Sequence, residues 1–160
     1  MKINLILVII FFSSLINYPI LSYENKILLK INNEIITTVD ILNEISYLKS
    51  INKNINNLDD KKIFEIARNS LIKDKVKEIT LKKIVQKIEI NNEDFNRILI
   101  STYSKSGYTN VDELLAYVKS FDIETDFIRN KLTINAIWNQ FIYDKYSKKI
   151  KINLDKLKEE

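Results

Sequence analysis

The sequence predicts a mainly α protein in which a small N-terminal β-hairpin is followed by about five helices, two of them long. The 160-residue chain has one glycine and one proline, so breakers are scarce and long helices are favoured over a many-stranded sandwich or barrel. Apolar residues recur at spacings of three and four over most of the chain. Two short apolar runs around an Asn-Asn pair indicate the hairpin.

The hairpin is predicted from the runs KILLKI and EIIT, which flank Asn32 and Asn33. Asparagine adopts positive φ more readily than most residues, so this pair can form a two-residue turn. An isolated hairpin is marginal in water and must pack on helices or gain a third strand. The alternating run KIKINL, with Ile150, Ile152 and Leu154, is the candidate third strand.

The first two helices are predicted directly after the hairpin. Thr37 or Thr38 caps the first helix, and the segment SINKNINN after it is predicted to be a polar linker without periodicity. A long helix is predicted to begin around Leu58 and to run to about Lys87. Its apolar residues lie on more than one face, so we expect it to be central.

Three further helices complete the predicted fold. Asn91 or Asn92 caps the third, which is expected to end near Gly107, the only glycine. The segment TNVDELLAYVKSF predicts a short capped helix. The last helix is predicted from about Glu124 to Lys148.

The composition argues against an enzyme, because the chain contains neither histidine nor cysteine. Ser-His-Asp and Cys-His catalysis, His or Cys metal sites and disulfides are therefore excluded. A phosphate-binding glycine loop is absent as well. Acidic pairs such as Asp59-Asp60 and Glu93-Asp94 stand where helix N-termini favour acid, and we interpret them as caps. We expect no catalytic residues, no metal and no cofactor.

The net charge of +4 is weakly basic, and charges of both signs alternate along the chain. The densest basic stretch consists of Lys145, Lys148, Lys149 and Lys151. A nucleic-acid interface would need a basic stripe with aromatic platforms or a known module. We interpret the stretch as a solvated helix end and expect no nucleic-acid partner.

The first segment has the features of an export signal. After Lys2, the run INLILVIIFFSSLI is apolar over about 14 residues, the length of a signal-peptide core. Pro19 and the small Ser22 suit a cleavage site. We assign 1–22 as a signal peptide and 23–160 as the folded domain. The apolar character continues almost to the end of the segment, so an uncleaved membrane anchor is the alternative.

Four segments follow one another along the chain, each in the setting of a predicted hairpin or helix: NNEIIT, ARNSLIKDKVKEITLKK, IEINNEDF and IRNKLTINAIWNQFI. Together they resemble the N-terminal domain of the SurA family, exported bacterial chaperones for outer-membrane proteins that often carry parvulin-type prolyl isomerase domains. The resemblance spans about Lys26 to Leu154. It implies an ATP-independent periplasmic chaperone, with unfolded outer-membrane or secreted polypeptides as partners and a homodimer as one oligomeric option.

The sequence also departs from that family. Its members usually continue into parvulin domains, whereas this chain stops at Glu160, and parvulin active sites use histidines that are absent here. No isomerase residue can be carried over, so the resemblance implies a binding module without isomerase activity. The alternatives are a membrane-anchored interaction or assembly protein, and a remnant or fragment of a peptidylprolyl isomerase.

A chaperone of this kind needs an adaptable apolar groove and exposed backbone that can pair with a client strand. We predict the groove between the two long helices, with Phe127, Ile134, Trp138 and Phe141 as peptide-binding residues. The competing interpretation of Trp138 is an ordinary core residue.

Overall fold

The computed structural model describes residues 25–147 and confirms the predicted fold class. A two-stranded antiparallel hairpin precedes five helices. The elements are β1 (Ile27–Ile31), β2 (Glu34–Thr37), α1 (Thr38–Ile51), α2 (Asp60–Leu81), α3 (Asn92–Thr102), α4 (Val111–Lys119) and α5 (Thr125–Tyr146). The predicted signal segment 1–22, the candidate strand KIKINL and the lysines from Lys148 onward lie outside the described residues.

The hairpin turns at the Asn-Asn pair, as predicted. Asn32 has φ 54°, and Ile31 and Glu34 pair across the turn. The register shifts between Ile27 and Leu29, so the strand carries an irregularity near its start. Only the face carrying Ile36, which is 1% exposed, is buried against the helices.

Side-chain caps start most of the helices. Thr37, rather than Thr38, caps α1: its hydroxyl accepts from the Asp40 amide at 3.3 Å, and the Asp40 carboxylate accepts from the Thr37 amide at 2.7 Å. This reciprocal pair is a capping box. The residues that cap α2, α3 and α4 with their side chains are Asp59, Asn91 and Asn110.

Two predicted boundaries were wrong. α2 ends at Leu81 rather than near Lys87, because the amides of Lys83 and Ile84 bond three residues back, with Ile84 donating to the Leu81 carbonyl at 2.9 Å. Ile84 is 48% exposed, so the apolar pattern continues past the point where packing stops. The predicted linker SINKNINN contains the end of α1 and a 3₁₀ helix at Lys53–Asn57, which Ile55 anchors by burial.

The other predicted boundaries were closer. α3 is followed by a 3₁₀ turn at Ser104–Ser106 that ends at Gly107, whose φ of 88° suits a residue without a side chain. Glu124 is the N-cap of α5, and the last helical residue is Tyr146.

Two apolar clusters form the core. The larger comprises Tyr47, Phe95, Leu99, Tyr103, Leu114, Val118, Ile123, Ile128 and Leu132. The smaller joins the hairpin to α1 and α2 through Ile36, Ile41, Ala67 and Leu71. Leu48 packs against both clusters, so α1 links them.

α1 and α5 run in opposite directions. Tyr47 packs edge-on against Phe127 with ring centroids 6.5 Å apart. One turn earlier in α1, Glu44 contacts Lys131, which lies one turn later in α5.

α2 and α5 run in the same direction. Asp74 contacts Lys131, and the next turn of each helix brings Lys77 to Asn135. The three longest helices therefore meet at the level of Lys131.

Candidate peptide-binding site

A buried ionic triad stands where the three longest helices meet. The Lys131 ammonium donates to Glu44 Oε2 and to Asp74 Oδ2, both at 2.6 Å. The Glu44 side chain is fully buried and the Lys131 side chain is 7% exposed. The triad comprises Glu44, Asp74 and Lys131 and lies between the two apolar clusters.

The triad is incompletely satisfied. Glu44 Oε1 is buried and makes no hydrogen bond of normal geometry with a described residue, although the Ser70 hydroxyl is close enough to the Glu44 carboxyl to lower its pKa. Burial raises the pKa of the Glu44 carboxyl, and the Lys131 ammonium lowers it; the net shift is upward. Lys131 also lies 4.6 Å from the centroid of the Tyr47 ring, a cation–π contact that helps to hold the ammonium inside the protein.

A cavity of about 150 Å³ opens beside the triad. We call it the charged cavity. It is lined by Asp40, Glu44, Leu71, Asp74, Lys75, Glu78, Phe127, Asn130, Lys131 and Ile134. It therefore combines a charged wall with an apolar one.

Beyond the charged cavity, the second half of α5 carries an aromatic surface. Trp138 and Phe141 are partly buried and contact each other with ring centroids 5.7 Å apart. Lys145 lies over Phe141 at 5.4 Å. Tyr143 is 67% exposed and Tyr146 is 41% exposed. We call this surface the aromatic end of α5; it comprises Trp138, Phe141, Ile142, Tyr143 and Tyr146.

Within residues 25–147, the aromatic end is less covered than the first half of α5 because α5 runs past the end of α2. Asp74 and Lys131 are at one level, yet Asp74 stands seven residues before the end of α2 and Lys131 fifteen before the end of α5. At about 1.5 Å per residue, α5 continues for roughly 12 Å beyond the last turn of α2. Trp138 stands at the level where that neighbour ends.

The four predicted site residues occupy one face of α5 but do not form one site. That face repeats at steps of four and three through Phe127, Lys131, Ile134, Trp138, Phe141 and Lys145. Phe127 and Ile134 line the charged cavity, between α1, α2 and α5, and Ile134 is 5% exposed. Trp138 and Phe141 belong to the aromatic end.

Sequence reasoning missed Glu44 and Lys131. Lys131 interrupts the apolar stripe of α5, and Glu44 stands between Ile41 and Leu48 on the buried face of α1. A charged residue of each sign inside two apolar stripes was the available signal, because buried charges occur mainly as pairs.

A larger depression of about 550 Å³ lies between residues 88–92 and the start of α5. Its lining is mostly polar, and the Arg129 guanidinium on its wall already covers the Phe95 ring at 3.9 Å. It contains no buried polar side-chain atom that lacks a partner among the described residues. The charged cavity and the aromatic end are therefore the stronger candidates.

Within residues 25–147, no group of three or more acidic, histidine or cysteine side chains is arranged to hold a metal ion. None of the helices in the same range has the length and apolarity to cross a bilayer. The chain matches no protein-family model, and no curated protein or solved structure is significantly similar to it.

Proposed function

We propose that the chain is an exported, ATP-independent chaperone that binds unfolded outer-membrane or secreted polypeptides. The aromatic end of α5 is the observation that carries this proposal. Aromatic side chains on a projecting helix offer apolar area and little directional bonding, which suits clients of varied sequence. The resemblance to the SurA N-terminal domain supports the same function.

The hairpin supplies a second element of the proposed binding surface. Within residues 25–147 its sheet has two strands, and Ile27 and Leu28 of β1 are 66% and 39% exposed. An extended client segment can add to such an edge through backbone hydrogen bonds, which do not depend on sequence. Apolar client side chains would then reach the exposed residues of β1.

In the proposed cycle, capture and release need no nucleotide. Contacts to the aromatic end are individually weak, so a client would dissociate readily and fold or pass to an acceptor. A client that buries its apolar segments by folding would lose its contacts and would not rebind.

The experiment is suppression of aggregation of a chemically unfolded outer-membrane protein by the purified chain, without ATP. We expect protection at near-stoichiometric ratios. No protection by a chain that is folded by circular dichroism would overturn the proposal.

A matched pair of variants locates the activity. Phe141→Asn removes an aromatic ring from the aromatic end, whereas Phe64→Asn removes one from α2, where Phe64 is 37% exposed. We expect the first variant to lose protection and the second to keep it. Equal loss in both variants would contradict the assignment to α5.

A further inference from the structure

The larger depression, between residues 88–92 and the start of α5, has a free hydroxyl on its wall. We call it the polar depression; its volume is about 550 Å³, and its wall includes Arg129, Asn130 and Thr133 of α5. Thr133 is 5% exposed, and its hydroxyl makes no hydrogen bond with a described residue. The hydroxyl oxygen is not fully buried, so solvent reaches it from the depression that Thr133 lines. A side chain that is otherwise buried thus keeps a donor for a ligand.

Arg129 is a cation without a counter-ion among residues 25–147. Its guanidinium lies over the Phe95 ring at 3.9 Å, and Phe95 is 1% exposed, so a buried ring fixes the guanidinium at the wall. No described carboxylate forms an ion pair with it, although Asp126 stands one turn earlier on the same helix. The face of a ring takes none of the N–H groups in the guanidinium plane. These groups form the fork that matches a carboxylate.

Arg129 and Thr133 are neighbours on one face of α5. They are four residues apart, so their Cβ atoms are separated by roughly 5–6 Å, and both line the polar depression. Asn130 on α5 and Asn92 at the start of α3 add two side-chain amides to the wall, and neither amide is bonded to a described residue. A guanidinium, a hydroxyl and amide groups around one depression supply donors for both oxygens of a carboxylate.

The charge around the polar depression favours a monoanion. Of the two acids on the wall, Glu89 pairs with Lys87 at 2.6 Å, and the charge of Asp126 balances that of Arg129. The first turns of α3 and α5 reach the wall through Asn92 and Asp126, and helix N-termini carry partial positive charge. The N-cap residue of α5 makes no side-chain hydrogen bond. One guanidinium beside an acid suits a single negative charge better than a dianionic phosphate.

The segment opposite α5 offers unpaired backbone beside these donors. Residues 88–90 belong to no helix or strand, and none of their backbone groups forms a hydrogen bond with a described residue. Ile90 packs against the larger apolar cluster and so holds the segment in place. An extended polypeptide can pair its backbone with such a segment. A polypeptide is therefore the expected source of the carboxylate.

We propose that the polar depression binds a carboxylate of an extended polypeptide, which accepts hydrogen bonds from the Arg129 guanidinium and the Thr133 hydroxyl. The carboxylate belongs to an Asp or Glu side chain or to the C-terminus of the bound chain. That this chain is an unfolded client rests on the proposed chaperone function, whereas the arrangement of donors does not. A free small carboxylic acid is the alternative source of the same group.

The first test uses the unmodified protein. N-acetylglutamate α-amide and N-acetylglutamine α-amide have almost the same shape, but only the first carries a carboxylate at neutral pH. In an NMR titration, we expect the carboxylate compound to bind at least roughly tenfold more tightly and to shift the backbone amides between Arg129 and Thr133. Equal affinities, or no binding of the carboxylate compound, would overturn the proposal.

Three variants identify the groups that bind. Arg129→Gln should abolish the preference for the carboxylate compound. Arg68→Gln changes an exposed arginine of α2 that does not line the polar depression, and it should keep the preference. Thr133→Val keeps the shape of the side chain and breaks no hydrogen bond within residues 25–147, so it should stay folded and bind the carboxylate compound roughly three- to tenfold more weakly.

Two results would contradict these roles. A preference that persists in folded Arg129→Gln would exclude the guanidinium as the carboxylate partner. If Arg129→Gln does not fold, Thr133→Val decides, and an unchanged affinity for the carboxylate compound in that variant would contradict the site.

A further comparison separates the two sources. An unfolded client peptide is compared with the same peptide in which each Asp and Glu is replaced by its amide and the C-terminus is amidated. Weaker binding of the substituted peptide assigns the polar depression to client carboxylates. Equal binding, together with the carboxylate preference of the small compounds, would overturn the polypeptide source and assign the site to a free acid. Failure of aggregation suppression with that preference intact would overturn the chaperone proposal and leave the carboxylate site standing.

Discussion

The two halves of α5 use one helix face for different purposes. In the first half, the buried residues include Ile128, Lys131, Leu132 and Ile134, and they close both the larger cluster and the ionic triad. In the second half, the same face continues through Trp138 and Phe141, which are only partly buried. The periodicity does not change at the boundary.

The difference comes from the neighbours and not from the stripe itself. The first half lies against α1 and α2, whereas the second half projects past the end of α2. Among the helices of residues 25–147, the apolar stripe of α5 continues beyond the helices that pack on it, and such a surface is suited to binding another chain. We therefore expect substitutions in the first half to reduce stability and substitutions in the second half to reduce client binding.

The largest effect is expected for Lys131→Met. The change keeps most of the aliphatic stem but removes the ammonium that Glu44 and Asp74 share, which leaves buried carboxylate without its partner. The free energy of unfolding should fall by about 3–5 kcal/mol. Urea denaturation followed by circular dichroism measures it.

The control for that prediction is Lys145→Met on the same face of α5. Lys145 is exposed and lies over the rings of Phe141 and Tyr146 in cation–π geometry. Its loss should cost no more than about 1 kcal/mol. Equal losses of stability in the two variants would remove the distinction between the halves.

A smaller effect, of a different kind, is expected for Phe141→Asn. Phe141 is partly exposed, so its loss should change stability less than the loss of Lys131. The affinity of the variant for an unfolded client should fall by roughly tenfold, because the loss of one aromatic anchor costs about 1–2 kcal/mol of binding free energy. Fluorescence anisotropy of a labelled client measures the affinity. A variant that loses stability and keeps its affinity would place Phe141 in the core.

The smallest loss of stability is expected for the exposed ion pairs between the hairpin and the end of α2. These pairs serve as a comparison for the buried triad. Glu34 accepts from Lys82 at 2.9 Å and from Lys75 at 3.3 Å, and its side chain is 31% exposed. Hydrogen bonds from Lys82 and then Lys75 lower the pKa of Glu34 below its ordinary value. Glu34→Gln should cost less than about 1 kcal/mol at neutral pH.

The contributions of Glu34 and Glu44 to the free energy of unfolding change with pH in opposite directions. Because the native pKa of Glu34 is lowered, its contribution is complete above the unfolded-state pKa and is lost as pH falls through the native pKa. The pKa of Glu44 is raised, so its ionisation destabilises the fold as pH rises through the native value. Between pH 3 and 7, the free energy of unfolding of Glu34→Gln should therefore fall less at the acid end than that of the unmodified protein. The same pH profile in both proteins would contradict a stabilising role for ionised Glu34.

The sequence predicted the order of the elements because their starts depend on local chemistry. Positive φ at Asn32 and the caps at Thr37 and Asn91 act within a few residues, so the sequence placed the turn at the Asn-Asn pair and narrowed each cap to one of two neighbouring residues. The end of α2 could not be placed, because Leu81 and Ile84 look alike in the pattern and differ only in what packs on them.

The candidate site was predicted only in part, for the same reason. The apolar periodicity of α5 placed Phe127, Ile134, Trp138 and Phe141 on one face. Which part of that face is covered depends on where α2 ends and on the direction in which α1 and α2 pack on α5, and neither follows from the periodicity. The triad depends on three helices meeting at one level. Residues 44, 74 and 131 are far apart in sequence, and no local rule connects them.

The most direct test of the proposed function uses the emission of Trp138, the only tryptophan in the chain, which stands at the aromatic end. A tryptophan-free outer-membrane protein is added in its unfolded and in its folded form. We predict a saturable blue shift with the unfolded form and none with the folded form, because a bound client would exclude water from the indole. Unchanged emission at a client concentration at which the chain suppresses aggregation would contradict binding at the aromatic end of α5.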